Sequence, residues 1–160
     1  MIVVSDTSPL RALSHLGLIK LLRELYQVVL VPPSVDRELR DSPAGLPEVR
    51  LDSFDFIHIK TPLDLDRVEE LRRGLDVGEA EALALAQEAG VDVVLIDEKD
   101  GRAEATRMGL RPIGVIGILL QAKEEGLIEM IGPLIEELRR ETRFFVSRAL
   151  LDRVLRTAGE

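Results

Sequence analysis

Short apolar runs alternate along this chain with longer segments whose apolar residues recur every three or four positions. That alternation predicts a parallel sheet with helices on both faces. Residues 2–4 form the first run, a strand ending at Ser5-Asp6. Asp6-Thr7-Ser8-Pro9 then opens a helix with Leu10, Leu13, Leu16 and Leu21 on its apolar face. A second strand spans 28–31 and closes at Pro32-Pro33. Ser34 is expected to cap the short helix that follows, which contains Glu38 and ends before Pro43. Residues 41–52 read as loop, 54–59 as an edge strand or extended arm, and 64–73 as a charged helix.

The rest of the chain is organised around the next stretch. Asp76 followed three residues later by Glu79 is a capping-box pattern, residues 79–88 are mostly strong helix formers, and Gly90 stops the helix. Residues 91–96 then read as a buried, β-branched strand that runs into Asp97, Glu98 and Asp100. A helix that starts with acids and leads to a strand that ends with acids is an unusual placement of charge. In open parallel sheets, sites gather at the carboxyl ends of strands. Beyond this stretch the pattern predicts a helix over 102–108, a strand over 112–116, and helices over 118–125 and 133–143. An extended piece at 144–146 and a last helix, about 147–158 and capped by Ser147, complete the chain. The whole reads as one domain spanning 1–160, with the last helix packed on it or appended as an arm.

Composition narrows the function classes. Of 160 residues, 46% are hydrophobic and 31% charged, which suits a soluble globular domain and excludes disorder. No apolar run is long enough to span a membrane, so no membrane partner is expected. The opening MIVVSDTS lacks the pattern of a signal peptide, and the absence of cysteine excludes a disulfide framework and thiolate metal sites. A cytoplasmic location is the expectation. The net charge of −8 gives no general attraction to phosphate, so binding of a nucleic acid requires local basic residues or cations that offset clustered acids.

Four carboxylates stand out by position: Asp6 after the first strand, Glu38 in the helix after the second, Glu79 at the start of the central helix, and Asp97 after the next strand. Hard divalent cations such as Mg²⁺ or Mn²⁺ take oxygen ligands, and converging carboxylates are the usual protein contribution. Such ions activate water in phosphodiester cleavage. Each acid also has a plainer role: Asp6 and Glu79 as helix caps, Glu38 as helix surface, Asp97 as turn chemistry. Glu79 shares a face with Ala82, Leu83 and Ala86 and is favoured as the inward acid; Glu81 is its rival. Glu98 and Asp100 are expected in turn or supporting positions, and Lys99 and Arg102 are placed to meet a phosphate near Asp97.

Other chemistry is weaker. His15 and His58, the only histidines, are expected to be structural, and no nucleophile elbow, dinucleotide fingerprint or P-loop is present. Arg139, Arg140, Arg143, Arg148, Arg153 and Arg156 read first as a solvated helical face and second as a patch for an RNA backbone. Leu13, Leu16, Leu21 and Leu25 fit either core or a dimer surface.

The DTS after the first strand, VPPSVDREL, GEAEALALA and VVLID, followed by IGVIGILLQAKEEGLI and the closing VSRALLDRVLRTAGE, resemble the PIN-domain pattern of metal-dependent nucleases over nearly the whole chain. The likeness is to a prokaryotic branch of predicted nucleic-acid-binding proteins related to VapC-type toxins of toxin–antitoxin pairs. It implies a three-layer α/β/α fold around a mainly parallel sheet of about four to five strands. It implies a Mg²⁺- or Mn²⁺-dependent ribonuclease, often dimeric and sometimes held by a small antitoxin. By position, Asp6, Glu38, Glu79 and Asp97 match the acidic quartet, and Thr7 or Ser8 the small polar residue beside the first Asp. The third acid is commonly Asp in PIN toxins; here it is Glu, with a second Glu two residues on. The expected function is RNA cleavage by metal-assisted hydrolysis. The alternatives are a weak or inactive module that binds RNA or a protein partner, and a small-molecule phosphatase.

Overall fold

The computed structural model describes residues 1–43 and 45–160. Five strands, β1 (Ile2–Ser5), β2 (Val28–Val31), β3 (Ile57–Ile59), β4 (Val93–Leu95) and β5 (Arg111–Ile113), form one parallel sheet in the order β3-β2-β1-β4-β5. Every pairing is parallel: Val3 lies opposite Val29, Val4 opposite Val94, and Leu95 opposite Ile113. Parallel strands need crossovers, and helices supply them on both faces.

Alternation along the strands sorts the core into two layers. Val3, Val29, Val31, Val93 and Leu95 turn to one face. There they meet α1 (Thr7–His15), α2 (Leu21–Tyr26), α3 (Pro33–Arg40), α7 (Val115–Glu124), α8 (Gly132–Glu141) and α9 (Arg148–Thr157). Val4, Val94 and Ile96 turn to the other, against α4 (Leu65–Leu71), α5 (Val77–Glu88) and α6 (Lys99–Arg107). The result is a three-layer α/β/α sandwich. Val154 of α9 is buried in the same cluster as Ile135 and Leu138 of α8, so the last helix packs on the body of the fold. Leu13 and Leu21 are buried, and Leu16 and Leu25 pack against the same cluster, which makes that leucine set core. Truncating a fully buried leucine such as Leu83 of α5 to alanine costs about 2–5 kcal/mol.

Several local expectations are corrected. The first helix stops at His15 because Gly17 takes φ of 71°, a left-handed turn, and Leu21 begins the separate helix α2. Ser34 does not cap α3: Pro33 occupies the first helical position and Pro32 the cap, which leaves the Ser34 hydroxyl free to reach another helix. A single 3-10 turn, Leu51–Ser53, interrupts the stretch expected to be loop, and α6 begins three residues earlier than expected, with Glu98 at its N-cap position. The capping box of Asp76 and Glu79 and the Ser147 cap of α9 form as expected, and Asp64 caps α4 by accepting from the Arg67 N–H.

Candidate metal centre

Asp6 follows β1 at the carboxyl edge of the sheet, where its backbone N–H donates to Leu95 O of the neighbouring strand at 2.9 Å. It stands at the N-cap position of α1, but its side chain makes no cap bond. The carboxylate is directed instead toward the first turn of α5. A β-carbon on Gly78 would stand 3.2 Å from Asp6 Oδ1 and 3.6 Å from Asp76 Oδ1, so the bare glycine lets two acids approach one helix terminus. Burial pushes the Asp6 carboxyl up to about 8; a Thr7 backbone N–H opposes this, and the negative charges of Asp76, Glu79 and Glu38 add to it.

Glu79 is the second buried acid. Its Oε1 accepts from the Asp76 backbone N–H at 3.3 Å, completing the capping box, while Oε2 is buried with no hydrogen-bond partner. Burial first, then Asp76, raises its pKa to about 7, with a contribution from Glu98. An orphaned carboxylate oxygen beside a second buried acid, with no cation among the charges that act on either, is a donor set that suits a hard cation. Glu81 is accounted for otherwise: its Oε2 accepts from Ser34 Oγ at 2.8 Å. Of the two glutamates, Glu79 is the buried one and the one whose charge acts on Asp6.

The other two acids are more open. Glu38 is exposed on α3 and accepts from Thr7 Oγ1 at 2.8 Å. Asp97, half-buried after β4, accepts from the Val115 N–H at 3.0 Å, at the start of α7, and a β-carbon on Gly114 would lie 2.5 Å from its Oδ1. Burial raises Asp97; Val115 and Arg102 pull it down, and Glu98 adds to the rise. The charge of Glu98 thus acts on both Glu79 and Asp97, in keeping with the supporting position expected of it. Among the described residues, no three of Asp6, Glu38, Glu79 and Asp97 have ligand atoms within 4.8 Å of one another; the group that does is His15, Glu137 and Glu141.

A groove of 1810 Å³ opens over this edge, lined by Thr7, Glu38, Asp97, Lys99 and Arg102 among others. Ser8 lines it too, whereas Asp6 and Glu79 are buried and Asp100 faces away, exposed in the first turn of α6 beside a smaller hollow. Arg102 Nη1 donates to Ile96 O at 3.1 Å, which holds its guanidinium next to Asp97. Of the C-terminal arginines, Arg140 and Arg143 line the groove and Arg139 pairs with Glu136.

A family model described as a PIN domain matches residues 2–160. The chain belongs to the PIN-domain family. No curated protein matches it. Membership points to nuclease-type chemistry on nucleic acid, which PIN domains generally carry out with a divalent metal. In this PIN domain the carboxyl edge of the sheet gathers Asp6, Asp76 and Glu79 below a groove bordered by Glu38 and Asp97. The role of Asp76 was hidden in the sequence because its cap accounts for it fully; only the fold reveals Asp6 on the other side of Gly78. Among the described residues no helix is long and apolar enough to cross a membrane.

Proposed function

We propose that this PIN domain is a Mg²⁺- or Mn²⁺-dependent endoribonuclease, cytoplasmic, dimeric and of the toxin type that a small antitoxin protein restrains. The observation that supports it most is the buried, partnerless Oε2 of Glu79 beside buried Asp6, an arrangement that costs the fold stability unless a cation meets it. Asp6 and Glu79 would hold the ion from below, with Glu38 and Asp97 completing the donor set at the groove. A bound ion of this class lowers the pKa of a water nucleophile and steadies negative charge on phosphate oxygens.

The side chains around it have separable tasks. Thr7 donates to Glu38 and sets the carboxylate's orientation. The Val115 N–H does the same for Asp97. Lys99 and Arg102 line the groove beside Asp97 and meet the substrate phosphates, and Ser8 offers a hydroxyl on the same wall. Arg140 and Arg143 give the groove local positive charge that the net charge of −8 denies to the whole.

One observation favours a second reading, a PIN module that binds without cutting: among the described residues, no three of Asp6, Glu38, Glu79 and Asp97 bring ligand atoms within 4.8 Å of one another. The two part on a single assay. Single-stranded RNA incubated with the protein is cleaved in Mg²⁺ or Mn²⁺, spared in chelator, and spared by folded Asp97→Asn if the nuclease reading holds. RNA retained equally well in chelator, and never cut, supports the module.

A further inference from the structure

We propose that His15, Glu137 and Glu141 form a second metal site, selective for a borderline transition ion such as Zn²⁺, that clasps α1 to α8. His15 ends α1, and Glu137 and Glu141 lie one helical turn apart on α8, so their carboxylates share the face turned toward the imidazole. One ligand atom from each of the three residues lies within 4.8 Å of the other two.

His15 and Glu141 have the spacing of two ligands of one ion. His15 Nε2 stands 3.5 Å from Glu141 Oε2, long for a hydrogen bond. Zinc bonds of about 2.0–2.2 Å to nitrogen and oxygen put two tetrahedral ligands about 3.3–3.6 Å apart. The donor set is also distinct from that of the acid site: an imidazole shifts preference away from Mg²⁺ and toward Zn²⁺, whereas the carboxylates at the sheet edge are all oxygen. Three protein ligands leave a fourth position, and His15 and Glu141 both line the groove, from which a water reaches it.

Local charge supports an ion there. Glu137 and Glu141 repel one another at i,i+4, and both sit in the last turns of α8, where the helix dipole disfavours negative charge. The Arg140 guanidinium approaches Glu141 Oε2 only to 3.8 Å. The site is independent of the ribonuclease reading, since none of its residues belongs to the acid set.

The chain has only two histidines and no cysteine, which makes the test clean. Zn²⁺ is titrated calorimetrically into the full chain in saturating Mg²⁺, and the two imidazole signals are followed by NMR. The expected result is one saturable Zn²⁺ per chain, movement of the His15 signal but not the His58 signal, and a higher Tm. Binding weakens at least roughly tenfold in His15→Gln and in Glu137→Gln, the latter an isosteric change at a half-buried position, and is unaltered in Asp97→Asn. Absence of saturable binding overturns the proposal. So does binding by His15→Gln and Glu137→Gln equal to wild type, or loss in Asp97→Asn, which would place the ion at the sheet edge.

Discussion

Gly101 in α6 faces Glu79 of α5 so closely that a β-carbon on it would stand 2.6 Å from Glu79 Oε2 and collide with Ile96 Cδ1. The space that keeps this oxygen free is therefore made by another helix, and the absence of a side chain at Gly101 is part of the acid site. Gly101→Ala should destabilise the protein by about 1–3 kcal/mol in denaturant unfolding, because backbone or Glu79 must shift. Mn²⁺ affinity should fall with it, since the displaced carboxylate no longer faces Asp6.

Burial of like charges gives the ion-free protein a definite pH dependence. The values of about 8 for Asp6 and about 7 for Glu79 lie above the ordinary carboxylate range, so the folded state keeps protons that the unfolded chain releases. Stability from this source is full below about pH 4 and is lost as pH rises toward 7 and 8. Asp6→Asn should remove most of that slope and raise ion-free stability at pH 8 by a few kcal/mol at most, judged at about 1.4 kcal/mol per pKa unit and reduced for relaxation. Thermal melts from pH 4 to 8, with and without Mn²⁺, measure it; the ion should flatten the wild-type curve and leave the variant's unchanged.

Asp97 has two tasks that substitution separates. Asparagine keeps an oxygen for the Val115 N–H and removes the charge, so Asp97→Asn should fold with near-normal stability and lose cleavage. Asp97→Ala removes the cap at α7 as well and should cost about 0.5–2 kcal/mol in addition. Equal stability of the two variants in urea melts would show that the Val115 bond contributes nothing.

Lys99 is exposed in the first turn of α6 and borders the groove. Lys99→Ala, placed in the non-cutting Asp97→Asn protein, should weaken RNA binding about uniformly across sequences and reduce the slope of log K against log salt by roughly one. Fluorescence anisotropy over a salt series reads this directly.

What the sequence disclosed follows from where each interaction lies along the chain. The strand at Val28–Val31, the Asp76–Glu79 capping box and the Ser147 cap are local, each fixed by residues within four positions of one another, and all were legible. Glu79 was preferred to Glu81 as the inward-facing acid from helical periodicity alone, and it is the buried one; the bond of Glu81 to Ser34 spans 47 residues and has no local signal. The pairing of Thr7 with Glu38 spans 31 residues, and His15 lies far along the chain from the acids it faces on α8, so neither has a local signal. His15 was expected to be structural, and its contact with Glu141 joins segments too far apart in the chain to leave a local signal. The boundary at Gly17 was missed because leucine spacing continues through it while the backbone turns left-handed.

The proposed metal-dependent cleavage of RNA rests on the buried acid pair at the carboxyl edge of the sheet. Cleavage rates of a single-stranded oligoribonucleotide in Mn²⁺ for Glu79→Gln and Glu81→Gln test it most directly, because the two glutamates share a helix and differ in surroundings. Glu79→Gln, which removes a proposed ion ligand, should lose roughly 100-fold or more, and Glu81→Gln, which alters a bond to Ser34, should change only a few-fold. Full activity in Glu79→Gln, or no Mn²⁺-dependent cleavage by the wild type, would contradict it.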